Sequence, residues 1–434
     1  MLSFLTRPTK TYDKLLEGTV ALIEIVKDPQ IKIFISRRNK KVINYLSKHI
    51  NDLLSLALSD SDIGFANLVM DLFYCKCSAL LEAAAESNFF VENESFYLSD
   101  EASYLQISKF AELTEICVTY ASDINESFSY IPKLLNFTEY DTVTLSIISL
   151  LDNDDNFNYF HLVMKSNNFV KQVVNNIVDL RKCQIGGNKL GNLYKILLKC
   201  AKNEILAKSC NCPSVIEVAL DVHDDDETCV LNSQWNLIYE LCIWPCFKDH
   251  SSMVEYAISI IIPDEYELYN EYNVVAIDFI SRTLESYPSE AKNVDFSLLS
   301  NIIISIFKYF PNHTIALTSA VHLLIVMLSL EEAIDIVYDA VVPFLIKCVE
   351  DDNQKILRVF SISGIKKIVN LGDTIDNLAL SDKFENDDDF VNICNTKILQ
   401  YENIKKRAYG DANSIYDHVS FNEMPPLKIP QTVE

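Results

Sequence analysis

Apolar residues recur every three or four positions along almost the whole chain, the spacing of one buried face of an α-helix. Thr11–Lys27 carries Leu15, Leu16, Val20, Leu22, Ile23 and Val26 in that pattern, and Asp28-Pro29 stops it. A second helical region runs from Ile31 to Leu58, with a basic run Arg37-Arg38-Asn39-Lys40-Lys41 inside it. Ser59–Asp62 then provides a turn and a cap. Phe65–Glu86 predicts one long helix with Phe65, Leu68, Val69, Leu72, Phe73, Leu80, Leu81 and Ala84 on its stripe. Glu92-Asn93-Glu94 breaks the pattern, and the next helix starts at Ser99-Asp100 and reaches Tyr120.

Phe128–Asp155 reads as two short amphipathic segments meeting at the polar turn Thr138–Asp141. The first is expected to bury Ile131, Leu134, Leu135 and Phe137; the second Val143, Leu145, Ile147, Ile148, Leu150 and Leu151, before the acidic run Asp152–Asp155. A helical hairpin cannot cover its own apolar faces and needs similar units on both sides. They follow in Tyr159–Met164, Phe169–Leu180 and Leu190–Ala207. An irregular acidic loop is expected near 208–232, after which helical segments resume at Gln234, Met253, Asn273, Asp295, Thr314, Ala333 and Gln354. Helices joined by short connections predict an all-α fold, an α-solenoid of stacked helical hairpins of HEAT or armadillo type over 1–405. Its last helix is Phe390–Lys405, capped by Asp387–Asp389, and 406–434, with Pro425, Pro426 and Pro430, reads as a flexible tail.

Composition narrows the function classes. With 8 Gly and 12 Pro in 434 residues, and no G-x-G-x-x-G or P-loop run, the chain does not suit an all-β, Rossmann or P-loop protein. A net charge of −24 makes nucleic acid and anionic membrane poor partners and favours a protein with basic patches. The longest apolar run, Ile315–Leu330, is too short to span a bilayer and reads as a core helix in which His322 is a satisfied core histidine. The first residues lack a basic stretch followed by an apolar one, and the 12 Cys are scattered, so a cytoplasmic or nuclear protein with reduced thiols is expected.

Little chemistry is concentrated in the sequence. Cys75-Lys76-Cys77, read as mid-helix, and the group Cys200, Cys210, Cys212, His223 and Cys229 lack zinc-site spacing and are taken as ordinary thiols. No hydrolase, metalloprotease or calcium-loop motif is present, so no catalytic residue, metal or cofactor is expected. What remains are candidate partner-binding positions: the basic run Arg37, Arg38, Asn39, Lys40 and Lys41, and the polar turns Glu139, Tyr140, Asp141 and Asn153, Asp154, Asp155. Inter-helix turns are where helical arrays usually make contacts.

Three segments also carry a resemblance. Phe34–Leu46 with Phe65–Glu86, then Ala102–Phe110, then Leu134–Asp155 followed by Val173–Leu180 and Asn188–Ile196, are similar in order and spacing to the SAPS-domain family, the regulatory subunits of protein phosphatase 6. Asn39 and Lys41 match the family's polar segment; Asp71, Phe73 and Cys75 match the following helix, with Asp where Glu is usual. Glu139-Tyr140 replaces the usual Gly of the third segment. The resemblance implies a non-catalytic scaffold that docks a serine/threonine protein phosphatase catalytic subunit, and further an ankyrin-repeat scaffold. The alternative is an armadillo- or HEAT-type adaptor for another protein partner, such as a transport or assembly factor.

Overall fold

The computed structural model describes residues 22–262, 268–351, 354–373, 378–401 and 403. The expected start of the first helix and the whole of the expected tail at 406–434 lie outside them. Among the described residues the regular structure is entirely helical. The helices are α1 (Leu22–Val26), α2 (Ile31–Ser36), α3 (Lys40–Lys48), α4 (Ile50–Ala57), α5 (Ile63–Tyr74), α6 (Ser78–Ala85), α7 (Phe89–Tyr97) and α8 (Tyr104–Cys117). After them come α9 (Ile124–Ser127), α10 (Asp141–Leu150), α11 (Asn158–Ser166), α12 (Phe169–Lys182), α13 (Gly187–Lys202), α14 (Ala207–Cys210), α15 (Pro213–Leu220) and α16 (Thr228–Leu241). The remainder are α17 (His250–Ile261), α18 (Glu271–Ser286), α19 (Phe296–Tyr309), α20 (Thr314–Leu328), α21 (Ile334–Glu350), α22 (Lys355–Gly372), α23 (Leu378–Glu385) and α24 (Asp388–Ile393). None of the described helices is long and apolar enough to cross a membrane.

The chain divides into two compact units, one of residues through His250 with Asn270–Val275, the other of Ser251–Tyr269 with residues from Ala276 onward. In the first unit, α5, α8, α10, α13 and α16 pack side by side in that order, each on the next. Other helices pack against this row, α12 on α13 and α15 on α16 among them. An aromatic cluster of Phe90, Phe110, Phe128 and Tyr130 closes the core beside α8, with ring centroids 5.1–6.4 Å apart. In the second unit helices two or three apart in sequence again meet. α19 packs on α21, α20 on α22, and α21 on α24. Gly364 on α22 faces α20 and α21 with room for a methyl group, since a Cβ there would make ordinary contacts, 3.5 Å from Leu345 and 3.8 Å from Val321.

Several local expectations are corrected. Phe65–Glu86 is two helices, because Lys76 turns the chain in the left-handed region at φ 50°, and Cys75-Lys76-Cys77 is therefore the bend. Glu92-Asn93-Glu94 continues a helix: Phe89 and Phe90 of α7 are buried, and Glu92 in the first turn favours the helix dipole. Ser103, not Ser99, starts α8, in a capping box with Gln106. The first half of Phe128–Asp155 is a 3₁₀ helix, Ile131–Phe137, with Pro132 in its first turn. Leu145 is 64% exposed, since Thr144 and Ser146 take the inward face of α10 and Thr144 Oγ1 donates to Thr138 O at 3.0 Å. Within 208–232, α14 and α15 and the start of α16 are helical, leaving 221–227 as the irregular part. His322 stands at the surface of α20, 3.3 Å from Glu285.

Candidate protein-docking site

The five side-by-side helices of the first unit are tied together by polar contacts at both ends. Toward their N-terminal ends, Asn192 Nδ2 on α13 donates to Thr138 O at 2.7 Å; beyond the row, Asn232 Oδ1 on α16 accepts from Tyr272 N–H at the start of α18 at 2.9 Å. Toward their C-terminal ends, the Tyr74 hydroxyl donates to Glu112 at 2.5 Å and Ser149 to Glu115 at 2.7 Å. Lys199 pairs with Asp152 in the next gap. Of these ties the Asn192 contact is buried and holds its helix in register most firmly, because a buried polar group left unpaired is costly.

Both candidate turns belong to this set of ties. Glu139 pairs with Lys189 at 3.1 Å, Asp141 accepts from Asn192 at 3.4 Å, and the Tyr140 ring meets Tyr104 edge-on at 4.9 Å. At the other end, Asn153 Nδ2 donates to Lys202 O at 3.0 Å, while its Oδ1 accepts from Glu204 N–H at 3.1 Å. Asp154 caps the next turn by accepting from Asn156 N–H at 3.0 Å, and Asp155 Oδ1 accepts from Asn158 at 3.2 Å. The two turns flank α10 at opposite ends, about 15 Å apart along its axis. They do not converge on one spot. Their outward edges stay exposed while their inner atoms bolt α10 to α13.

The basic run lies at the corner between α2 and α3. Arg38 turns the chain at φ 55°, and Asn39 caps α3 by accepting from Lys41 N–H at 3.1 Å and Val42 N–H at 3.4 Å. Arg37, Arg38, Lys40 and Lys41 are exposed, and none of the four forms an ion pair among the described residues. In a chain of charge −24, these four cations within five residues make a locally cationic corner.

Three features escape a reading by hydrophobic periodicity. Arg181, at the end of α12, donates to Asp226 at 2.7 Å, Gln234 at 3.1 Å and the Tyr194 hydroxyl at 3.3 Å. Gln234 and Tyr194 themselves donate to the carbonyls of Ala219 and Val218, so one guanidinium fastens α12, α13, α15, α16 and the acidic 221–227 segment. Asn203 is a second hub: its Nδ2 donates to Leu151 O at 3.1 Å and its Oδ1 accepts two backbone N–H groups, from Ile205 and Leu206. Beside it, buried His161 donates from Nε2 to Leu150 O at 2.8 Å, and burial pulls its pKa down. The third is Lys109 on α8, 5% exposed, whose amine has no hydrogen-bond partner among the described residues. Burial lowers its pKa, against the opposing pull of Glu112. In sequence each is one polar letter on a mixed face, and only the fold assigns its partners.

The thiols fall into two environments. Cys117 and Cys200 are fully buried, and burial raises their pKa; Cys210 is pushed up to about 12, by burial first and then by Cys212. Such thiols are poor nucleophiles. Among the described residues, no group of three or more His, Cys, Asp or Glu is arranged to hold a metal ion.

No family model, curated protein or solved structure matches this chain.

Proposed function

We propose that the chain is a non-catalytic regulatory subunit: an α-solenoid that binds a serine/threonine protein phosphatase catalytic subunit, of the protein phosphatase 6 type, and directs it to substrates. The observation that carries this reading is where the family-like segments lie. Phe65–Glu86, Ala102–Phe110, Leu134–Asp155 and Asn188–Ile196, separated in sequence, fall on α5 and α6, α8, α10 and α13, and α5, α8, α10 and α13 are neighbours in one row. Side-by-side packing of helices two or three apart in sequence, seen again in the second unit, suits a stacked array of helical units.

The mechanism is positional. The metals and the attacking water belong to the partner. This chain holds that partner and a substrate together, raising one's effective concentration near the other. The docking positions are the cationic corner Arg37–Lys41 and the outward edges of the turns at Glu139–Asp141 and Asn153–Asp155. The test is reconstitution: the purified chain mixed with a protein phosphatase 6-type catalytic subunit should co-elute with it as a stoichiometric complex in size-exclusion chromatography. Separate elution at micromolar concentrations would contradict the proposal.

A further inference from the structure

One cleft of the first unit is built from chemistry that, Asp154 apart, the phosphatase reading does not use. It lies at the C-terminal ends of α5, α8 and α10 and has a volume of about 590 Å³, within the range of ligand pockets. Its walls present three aromatic rings, Tyr74, Tyr120 and Phe157, and the carboxylates Glu112, Glu115 and Asp154. The partners of these carboxylates are neutral. Glu112 accepts from the Tyr74 hydroxyl, Glu115 from the Ser149 hydroxyl, and Asp154 from the amides of Asn156. Their charge is therefore fixed in place: none of the three forms an ion pair among the described residues, although the buried Lys109 amine offsets part of the charge of Glu112. Asp152 also lines the cleft but is matched by Lys199, and Lys76 is the one cation among the lining residues. The Tyr74 hydroxyl is held far above its ordinary pKa, by burial first and then by Glu112, Glu115 and Asp71. That agrees with a negative potential inside the cleft.

We infer that this cleft is a docking site for an arginine side chain in a basic, extended segment of a protein partner. Ring faces attract a flat cation, and carboxylates oriented by hydroxyls can accept a guanidinium's paired N–H groups. Arginine suits both wall types better than lysine, whose ammonium is more strongly hydrated and cannot stack. Charge complementarity with the net charge of −24 favours a basic segment and brings it in rapidly at low salt.

The full chain and fluorescein-labelled peptides test this without any phosphatase, so the two proposals fail independently. A ten-residue Gly/Ser peptide with three arginines should bind in anisotropy titrations. Its lysine counterpart should bind at least threefold more weakly, and its glutamate counterpart not at all. Glu112→Gln with Glu115→Gln keeps acceptors for Tyr74 and Ser149 and should weaken arginine-peptide binding at least tenfold. Glu331→Gln with Glu332→Gln removes the same charge from an exposed turn of the second unit and should leave binding within twofold. Asp154→Asn, which can still cap its turn, gives a second, milder loss should the double variant unfold. Equal losses in the two double variants, or equal affinity for the arginine and lysine peptides, would overturn the assignment. So would photo-crosslinking of a benzophenone-bearing arginine peptide outside residues 74–157.

Discussion

Lys109 shows at single-residue resolution what this fold tolerates. An ammonium buried without a hydrogen-bond partner costs stability, because water solvated it in the unfolded chain. Lys109→Met keeps the volume and removes the unpaired group, so urea unfolding at neutral pH should show a gain of ~1–3 kcal/mol. The sign of its pH dependence follows from the lowered pKa. Between the folded value and the ordinary one, the unfolded chain binds more protons. Stability should therefore rise as pH climbs through that window toward 10.5, and Lys109→Met should flatten the slope. His161, also lowered by burial, acts in the same direction at lower pH. Its contribution is full above 6.5 and is lost as pH falls from there toward its folded value. Thermal melts of wild type and His161→Gln across that range check it, the variant losing the acid-side slope. Neither residue was legible in sequence. Lys109 sits on a helix face that also carries Gln106 and Glu112, and nothing local says that its neighbours bury it.

Helices were largely legible, their ends less so. Apolar spacing located α12, α13 and α18 to α22 to within a few residues, because each has one continuous buried stripe and a polar stop. The errors fell where backbone conformation decides. A left-handed residue at Lys76 divides one apparent helix, and a proline-led 3₁₀ turn replaces the first half of the 128–155 hairpin. Leu145 points outward because Thr144, which donates to Thr138 O, and Ser146 take the buried face of the helix. Contacts between elements were the least legible, since they join residues tens of positions apart. The Arg181 hub spans 45 residues to Asp226 and 53 to Gln234. Arg181→Ala should cost about 3–5 kcal/mol, because it leaves the nine-tenths-buried Asp226 carboxylate without its cation. Chemical denaturation measures the loss, and proteolysis should cut first near 221–227 once that segment is released.

For the whole molecule, the alternation of apolar and polar faces conveyed the all-helical class. It carried no partner. Which surface docks depends on charges left over after the fold has used its own. Glu139 and Asn153 are engaged in holding α10 to α13, whereas Arg37, Arg38, Lys40 and Lys41 are exposed and form no ion pair among the described residues. Arg37→Glu with Arg38→Glu should therefore reduce partner capture at least tenfold and leave the melting temperature within about 2 °C, since exposed charges contribute little to stability. The alanine pair Glu139→Ala with Asn153→Ala should instead lower stability by about 1–3 kcal/mol through lost inter-helix hydrogen bonds. Differential scanning calorimetry beside a binding assay separates the two effects. The central claim, that this chain is the positioning subunit of a phosphatase, is tested most directly by capture from native lysate. The tagged full chain, recovered at physiological salt and examined by quantitative mass spectrometry, should carry a serine/threonine phosphatase catalytic subunit at near-equimolar amount. Recovery of a stoichiometric partner with no such phosphatase present would contradict it.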